Sequence, residues 1–328
     1  MKPIRSLLSS LLARRLSRLA ALLLLALALP AMAAERPVLR LAVLQFGTAH
    51  WELDHLKRSG LDQANGFELE VRLVADLPAS RLALISDSVD GIVGDLLWAQ
   101  GRYAAGAPLV FVPFSSRLGE LVVSEDSPIT ELADLAGQRI GVAGGPDGYA
   151  WQLLQRAAQR QGVALDRSQV QFAAPPLLDQ ALRRGQLDAV LTFWHFAARL
   201  RGEGGVRTAF GMRELLAANG VEADLPMLGY LFAQPWAEQH ADLLQRFARA
   251  VHQSKRQLAE NPQAWQGIRP LMRATDDQVF AALRDAFVAG TPAPLDTERV
   301  AALRALLAGS VDAGQAVMPA ASFIQAQP

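Results

Sequence analysis

The sequence predicts an α/β fold of two similar lobes, each a mostly parallel sheet flanked by helices. Three observations carry this. Strand-like and helix-like segments alternate from Val38 to Phe193, the pattern of parallel sheets with crossover helices. The second part of that stretch echoes the first. A composition that is 51% hydrophobic and 20% charged belongs to a chain that can bury a core.

Taken in order, Val38–Leu44 (VLRLAVL) reads as a buried strand and 51–58 as a helix. Residues 67–74 (FELEVRLV) alternate as a half-exposed strand does. Helix is expected over 77–86 and 95–105, strand over 89–93 and 109–112. Next come a strand at 139–143 and a helix over 150–158, stopped by Gly162. Strand 169–173, helix 177–184 and strand 187–193 continue the alternation. Beyond Tyr230 the chain turns helical, over 236–260, 264–272, 276–288 and 296–308.

The echo is specific. Residues 83–93 (ALISDSVDGIV) match 181–191 (ALRRGQLDAVL) at an offset of 98, and 40–43 (RLAV) match 139–142 (RIGV) at 99. Both pairs occur in the same order, and a period this long marks a duplicated lobe rather than a solenoid. Asp90 and Asp188, at matching places, read as turn formers.

The chain has no cysteine, which excludes disulfides, thiolate metal sites, thiol nucleophiles and cysteine-linked lipidation. Formal charge balances at 32 against 32, but five of the cations lie in the first eighteen residues; without them 27 basic face 32 acidic residues. Such a body does not suit a phosphate backbone, so no nucleic-acid partner is expected. The first residues read as a signal peptide: a basic stretch to Arg18, an apolar run from Leu19 to Leu29, then Ala31-Met32-Ala33. The run is about half the ~20 residues of a membrane span. Residues 1–33 are expected to be removed, leaving a periplasmic protein that starts at Ala34 and is not a lipoprotein.

Ligands of parallel α/β sheets sit beyond the strands' carboxyl ends, at helix N-termini. That nominates the loops 45–51 (QFGTAHW), 94–95, 144–149 (GGPDGY) and 192–194 (TFW). The candidate residues there are Gly47, Thr48, His50, Trp51, Asp95, Gly145, Asp147, Tyr149, Thr192 and Trp194. Phe114, Ser115, Ser116 and Tyr230 complete the set. Thr48, Asp95 and Asp147 serve equally well as helix caps, and Trp51 as core. No metal ligand cluster, phosphate loop, H-E-x-x-H or catalytic-triad spacing occurs, so neither metal nor cofactor is expected.

Several segments then resemble a known family: GTAHWEL, ISDSVDGIVGD, ITELADLAGQRIGVAGG, ALRRGQLDAVLTFW and LGYLFAQPWAEQHADLLQRFARAV. Together they are similar to the type II periplasmic substrate-binding proteins of ABC importers, in the nitrate/sulfonate/taurine and thiamine-precursor class. The resemblance implies the two-lobed periplasmic-binding-protein type II fold with two crossovers, near 120–124 and 226–232. It implies a first lobe of 34–119 plus 226–328, a second of 120–225, and a helical C-terminus against the first. The expected activity is capture of a small molecule between the lobes and delivery to a permease in the inner membrane, by a monomer and without catalysis. Asp95, Asp147 and the aromatic residues favour a nitrogen-containing organic ligand. A sulfonate- or nitrate-type anion is the alternative. A same-fold enzyme or a ligand sensor is the alternative of a different class.

Overall fold

The computed structural model describes residues 36–221, 224–311 and 314–324. The expected signal peptide and its processing site lie outside them. Strand β1 (Val38–Leu44) leads into helix α1 (Thr48–Arg58), the single turn α2 (Leu61–Ala64), β2 (Glu68–Val74), α3 (Leu77–Ile85), β3 (Gly91–Asp95), α4 (Leu96–Ala104) and β4 (Leu109–Ser115). Then follow β5 (Gly119–Ser124), β6 (Ile140–Ala143), α5 (Tyr149–Arg160), β7 (Val170–Ala173), α6 (Pro175–Arg183), β8 (Ala189–Phe193), α7 (Trp194–Glu203), β9 (Val206–Phe210) and α8 (Met212–Ala218). The chain closes with β10 (Leu228–Ala233), α9 (Gln234–Gln239), α10 (Ala241–Glu260), α11 (Arg269–Met272), α12 (Asp277–Ala289) and α13 (Thr297–Ala308).

The strands form two five-stranded sheets, in the orders β2-β1-β3-β10-β4 and β7-β6-β8-β5-β9. The two orders share one plan. In each, three parallel strands are followed by one that runs against its neighbours, β10 in the first sheet and β5 in the second. This is the two-lobed α/β fold, with mixed sheets in which four of five strands run the same way and two of the four neighbour pairings are antiparallel. The segments expected as crossovers are thus largely strands themselves. The chain passes between sheets at 116–118 and again between β9 and β10.

The sequence echo has a physical basis. Asp90 accepts the Arg40 amide at 2.7 Å, and its carboxylate also takes the Arg40 guanidinium. Asp188 does the same with Arg139, whose amide is 2.8 Å away. In return the Asp90 amide donates to the Arg40 carbonyl, and that of Asp188 to the Arg139 carbonyl. Asp90 therefore clamps the turn before β3 to the start of β1, and Asp188 the turn before β8 to the start of β6.

Three expectations need correction. The helix expected over 236–260 breaks at His240, whose backbone leaves the helical region and whose ring stacks on Trp236 at 4.5 Å. The helix expected over 264–272 is a 3₁₀ segment followed by the short α11, since Gly267 and Pro270 interrupt it. The C-terminal helices do not pack on the first sheet's layer alone. α12 lies across α7, where a Cβ on Gly202 would come within 2.8 Å of the Val279 Cα; only glycine admits that approach.

Candidate functional site

Four helices follow the strands β1, β3, β6 and β8, two of them after short loops, and their first turns meet around one cavity of about 170 Å³. Its walls draw on all four nominated loops: Gly47 and Thr48 at α1, Gly94 and Asp95 at α4, Gly148 and Tyr149 at α5, Thr192 and Trp194 at α7. The rest is mainly apolar, with Leu44, Val93, Phe114, Leu118, Val142, Trp151, Leu191 and Phe193. Asp95 and Thr192, the ends of equivalent strands, border this single space.

The helix starts differ in how they are capped. Gly47, Gly148 and Phe193 hold the N-cap positions of α1, α5 and α7, and no side chain caps those ends. These ends bring the positive end of the helix dipole to the cavity side, although the Trp194 amide of α7 already donates to the Leu118 carbonyl at 3.4 Å. At α4 the cap is Asp95, which accepts the Trp98 amide at 2.8 Å. Burial pushes the Asp95 carboxyl above the ordinary aspartate range, while the Trp98 amide and then Arg81, 3.9 Å away, pull it down. This carboxylate is already engaged.

Of the fourteen candidates, Gly47, Thr48, Asp95, Phe114, Tyr149, Thr192 and Trp194 line the cavity. Trp51 is 3% exposed and lies behind it, edge-on to Trp194 at 6.3 Å, with Phe287 against both. His50 is half-buried beside the Gln45 carbonyl. Ser115 bonds Arg117, and Ser116 bonds Gly290 across the passage between sheets. Gly145 sits in the loop before α5, and Asp147 is exposed there with its carboxylate folded toward Gly145. Tyr230 is fully buried between Phe114 and Phe247.

Trp151 and His195 are among the lining residues that lay outside the candidate set. His195 follows Trp194, one residue beyond the loop as nominated. Its ring stacks with Phe193 at 6.1 Å and tilts against Phe196 at 4.7 Å. Burial, helped by Arg199, pushes its pKa down to about 3, so the imidazole is neutral at physiological pH. Thr192 Oγ1 and Trp151 Nε1 are buried with no hydrogen-bond partner, an arrangement that folded proteins seldom leave unfilled. Among the described residues no cluster of His, Asp and Glu could hold a metal ion.

A family profile, NMT1/THI5 like, matches residues 96–265. The chain belongs to that family. Its sequence is 30% identical over 169 residues, 50% of this chain, to a protein of Escherichia coli K12 assigned as an aliphatic sulfonates-binding protein; the match spans 49% of that relative's length. Two solved structures share the fold. The periplasmic aliphatic sulphonate-binding protein SsuA from Escherichia coli has a TM-score of 0.67 at 20% identity, over 83% of this chain and 91% of its own. The alkanesulfonate-binding protein SsuA from Xanthomonas axonopodis pv. citri, bound to MOPS, has a TM-score of 0.61 at 21% identity, over 83% and 92%.

Proposed function

We propose that this member of the NMT1/THI5-like family is the periplasmic binding component of an ABC importer, taking a small organic anion into the cavity between its lobes. The carrying observation is the convergence of four helix starts, three of them uncapped, on one apolar and aromatic space. Each such end favours an anion by about 0.3–1 kcal/mol, and buried hydroxyl and indole groups stand ready to donate. A micromolar ligand needs about −8 kcal/mol in all, so the apolar and aromatic walls must supply much of the rest. The family relatives named for sulfonates fit this reading. The lobes are taken as 34–119 with 226–328, and 120–225, after removal of residues 1–33. The inner-membrane permease is the partner, and the chain itself catalyses nothing.

A nitrogen-containing ligand retains support from the aromatic walls, Tyr149, Trp151, Phe193 and Trp194, which suit a planar or amine-bearing group. Its electrostatic case is weaker, because Asp95 is engaged as a cap and Asp147 lies outside the wall. An aminosulfonate satisfies both sets of groups. Calorimetry with short alkanesulfonates, aminosulfonates and the matching alkylamines tests this. Micromolar binding of a sulfonate, with the amine inert, is expected. Binding of the amine alone would overturn the anion reading.

A further inference from the structure

A second and larger cavity, about 690 Å³, lies between α10, β4 and the segment Thr291-Pro292-Ala293-Pro294-Leu295. None of the side chains assigned above to the ligand lines it, and neither the family nor the relatives' names account for it.

Its two sides differ in chemistry. Apolar groups come from β4, the 291–295 segment and the C-terminal stretch, with Val112, Pro292, Pro294, Leu295 and Ile324, and α10 adds Val251. The α10 side carries Arg249, His252, Lys255 and Arg256, and among the described residues no acidic one lines the space. Arg249, His252 and Arg256 stand at i, i+3 and i+7, one face of a helix, spread over about 10 Å of its axis. Lys255 is already paired, its Nζ 2.8 Å from the buried Glu52. Neither Arg249 nor Arg256 has a carboxylate within ion-pair distance among the described residues. Two arginine cations without counter-ions among the described residues, beside a concave apolar surface, complement a molecule with an anionic head and an apolar body.

We propose that this groove is a second binding site, for a free amphipathic organic anion held head-first by Arg249 and Arg256 with its body along Val251, Pro292 and Leu295. The segment lining it begins one residue after Gly290, whose carbonyl accepts the Ser116 amide at 2.9 Å in the passage between the sheets. An occupant would therefore touch the chain next to the inter-lobe connection. The proposal does not depend on what the first cavity takes.

The test uses two dyes on the mature chain: anilinonaphthalenesulfonate, and phenylnaphthylamine, which keeps the rings without the sulfonate. Calorimetric stoichiometry and fluorescence should show a dye equivalent that Arg249→Gln/Arg256→Gln removes or weakens at least tenfold. Thr192→Val, in the first cavity, should leave that equivalent in place, and phenylnaphthylamine should bind at least tenfold more weakly. Both arginines are at least partly exposed, so the double variant should fold. An unchanged equivalent in the double variant, or its loss in Thr192→Val, overturns the site. Equal binding of the neutral dye does the same. Co-sedimentation with phosphatidylglycerol vesicles that depends on the two arginines would assign the array to a membrane surface and overturn the free-anion reading.

Discussion

Thr192 separates binding from stability at the scale of one atom. Its hydroxyl is buried at the cavity wall without a partner, and valine keeps its shape. Thr192→Val should leave thermal stability unchanged or slightly raised, since an unmet polar group disappears. It should weaken an anionic ligand by about 1.5–3 kcal/mol, the range for hydrogen bonds to charged groups. Calorimetry beside a melting curve reads both, and unchanged affinity would remove the hydroxyl from the site. Trp194 offers no such separation. It is 2% exposed and packed on Trp51 and Phe287, so its truncation would lower stability as well as binding.

His195 makes a pH prediction whose sign follows from burial. Its pKa is about 3 in the fold against about 6.5 in an unfolded chain. Below pH 6.5 the unfolded state binds the proton more readily, so stability is full near pH 7 and above, and falls as pH drops toward 3. The slope from this group is at most about 1.4 kcal/mol per pH unit. His55, also pushed down chiefly by burial, adds a loss of the same sign. His195→Phe should therefore make the acid limb of the stability curve shallower. Denaturant titrations between pH 7 and 4 measure it, and an identical limb in the variant would contradict the assignment.

Among the elements, the aspartate clamps turn the internal echo into an energy difference. Asp90 keeps only 6% of its side chain exposed and Asp188 keeps 28%, while both arginines are about half open. The same bond pattern should thus be worth more in the first sheet. Asp90→Ala should cost about 1.5–3 kcal/mol, and Asp188→Ala about 1 kcal/mol or less, nearer a surface pair. Equal losses in urea unfolding would mean that burial does not set their strength. The clamp residues stood out in the sequence because strand spacing is a local signal and the repeat made it visible twice. β5 and β10 did not register as strands. Both are almost continuously buried, so no alternation marked them, and their antiparallel insertion is decided by distant partners. The site was partly legible for the same reason. Strand-end loops follow from the topology, whereas the placement of Trp151 and His195 in the wall depends on how the first turns of α5 and α7 face the cavity.

Across the whole molecule, side-chain contacts couple the two halves. Trp51 precedes most of α1 beside the first sheet, Trp194 opens α7 at the second, and Phe287 of α12 touches both. α12 also covers Gly202 at the far end of α7. Separating the halves would hydrate this aromatic cluster, at ~25 cal/mol for each Å² uncovered and roughly 150–250 Å² buried per ring. The arrangement seen here is therefore supported by the protein's own contacts, to which a bound ligand would add. Trp51→Ala removes one ring from that cluster; Trp51 does not line the cavity but packs on Trp194, which does, so a melting curve accompanies the measurement. The substitution should shift the unliganded chain toward an open form, seen as a larger radius of gyration in solution scattering. On the proposed function, in which the ligand is enclosed between the lobes, apparent affinity should fall by the same factor as the fraction that keeps this arrangement. Saturating amounts of the sulfonate selected by calorimetry should restore the compact form. Scattering from Trp51→Ala that matches the unaltered chain with and without ligand would show that the cluster does not hold the lobes closed.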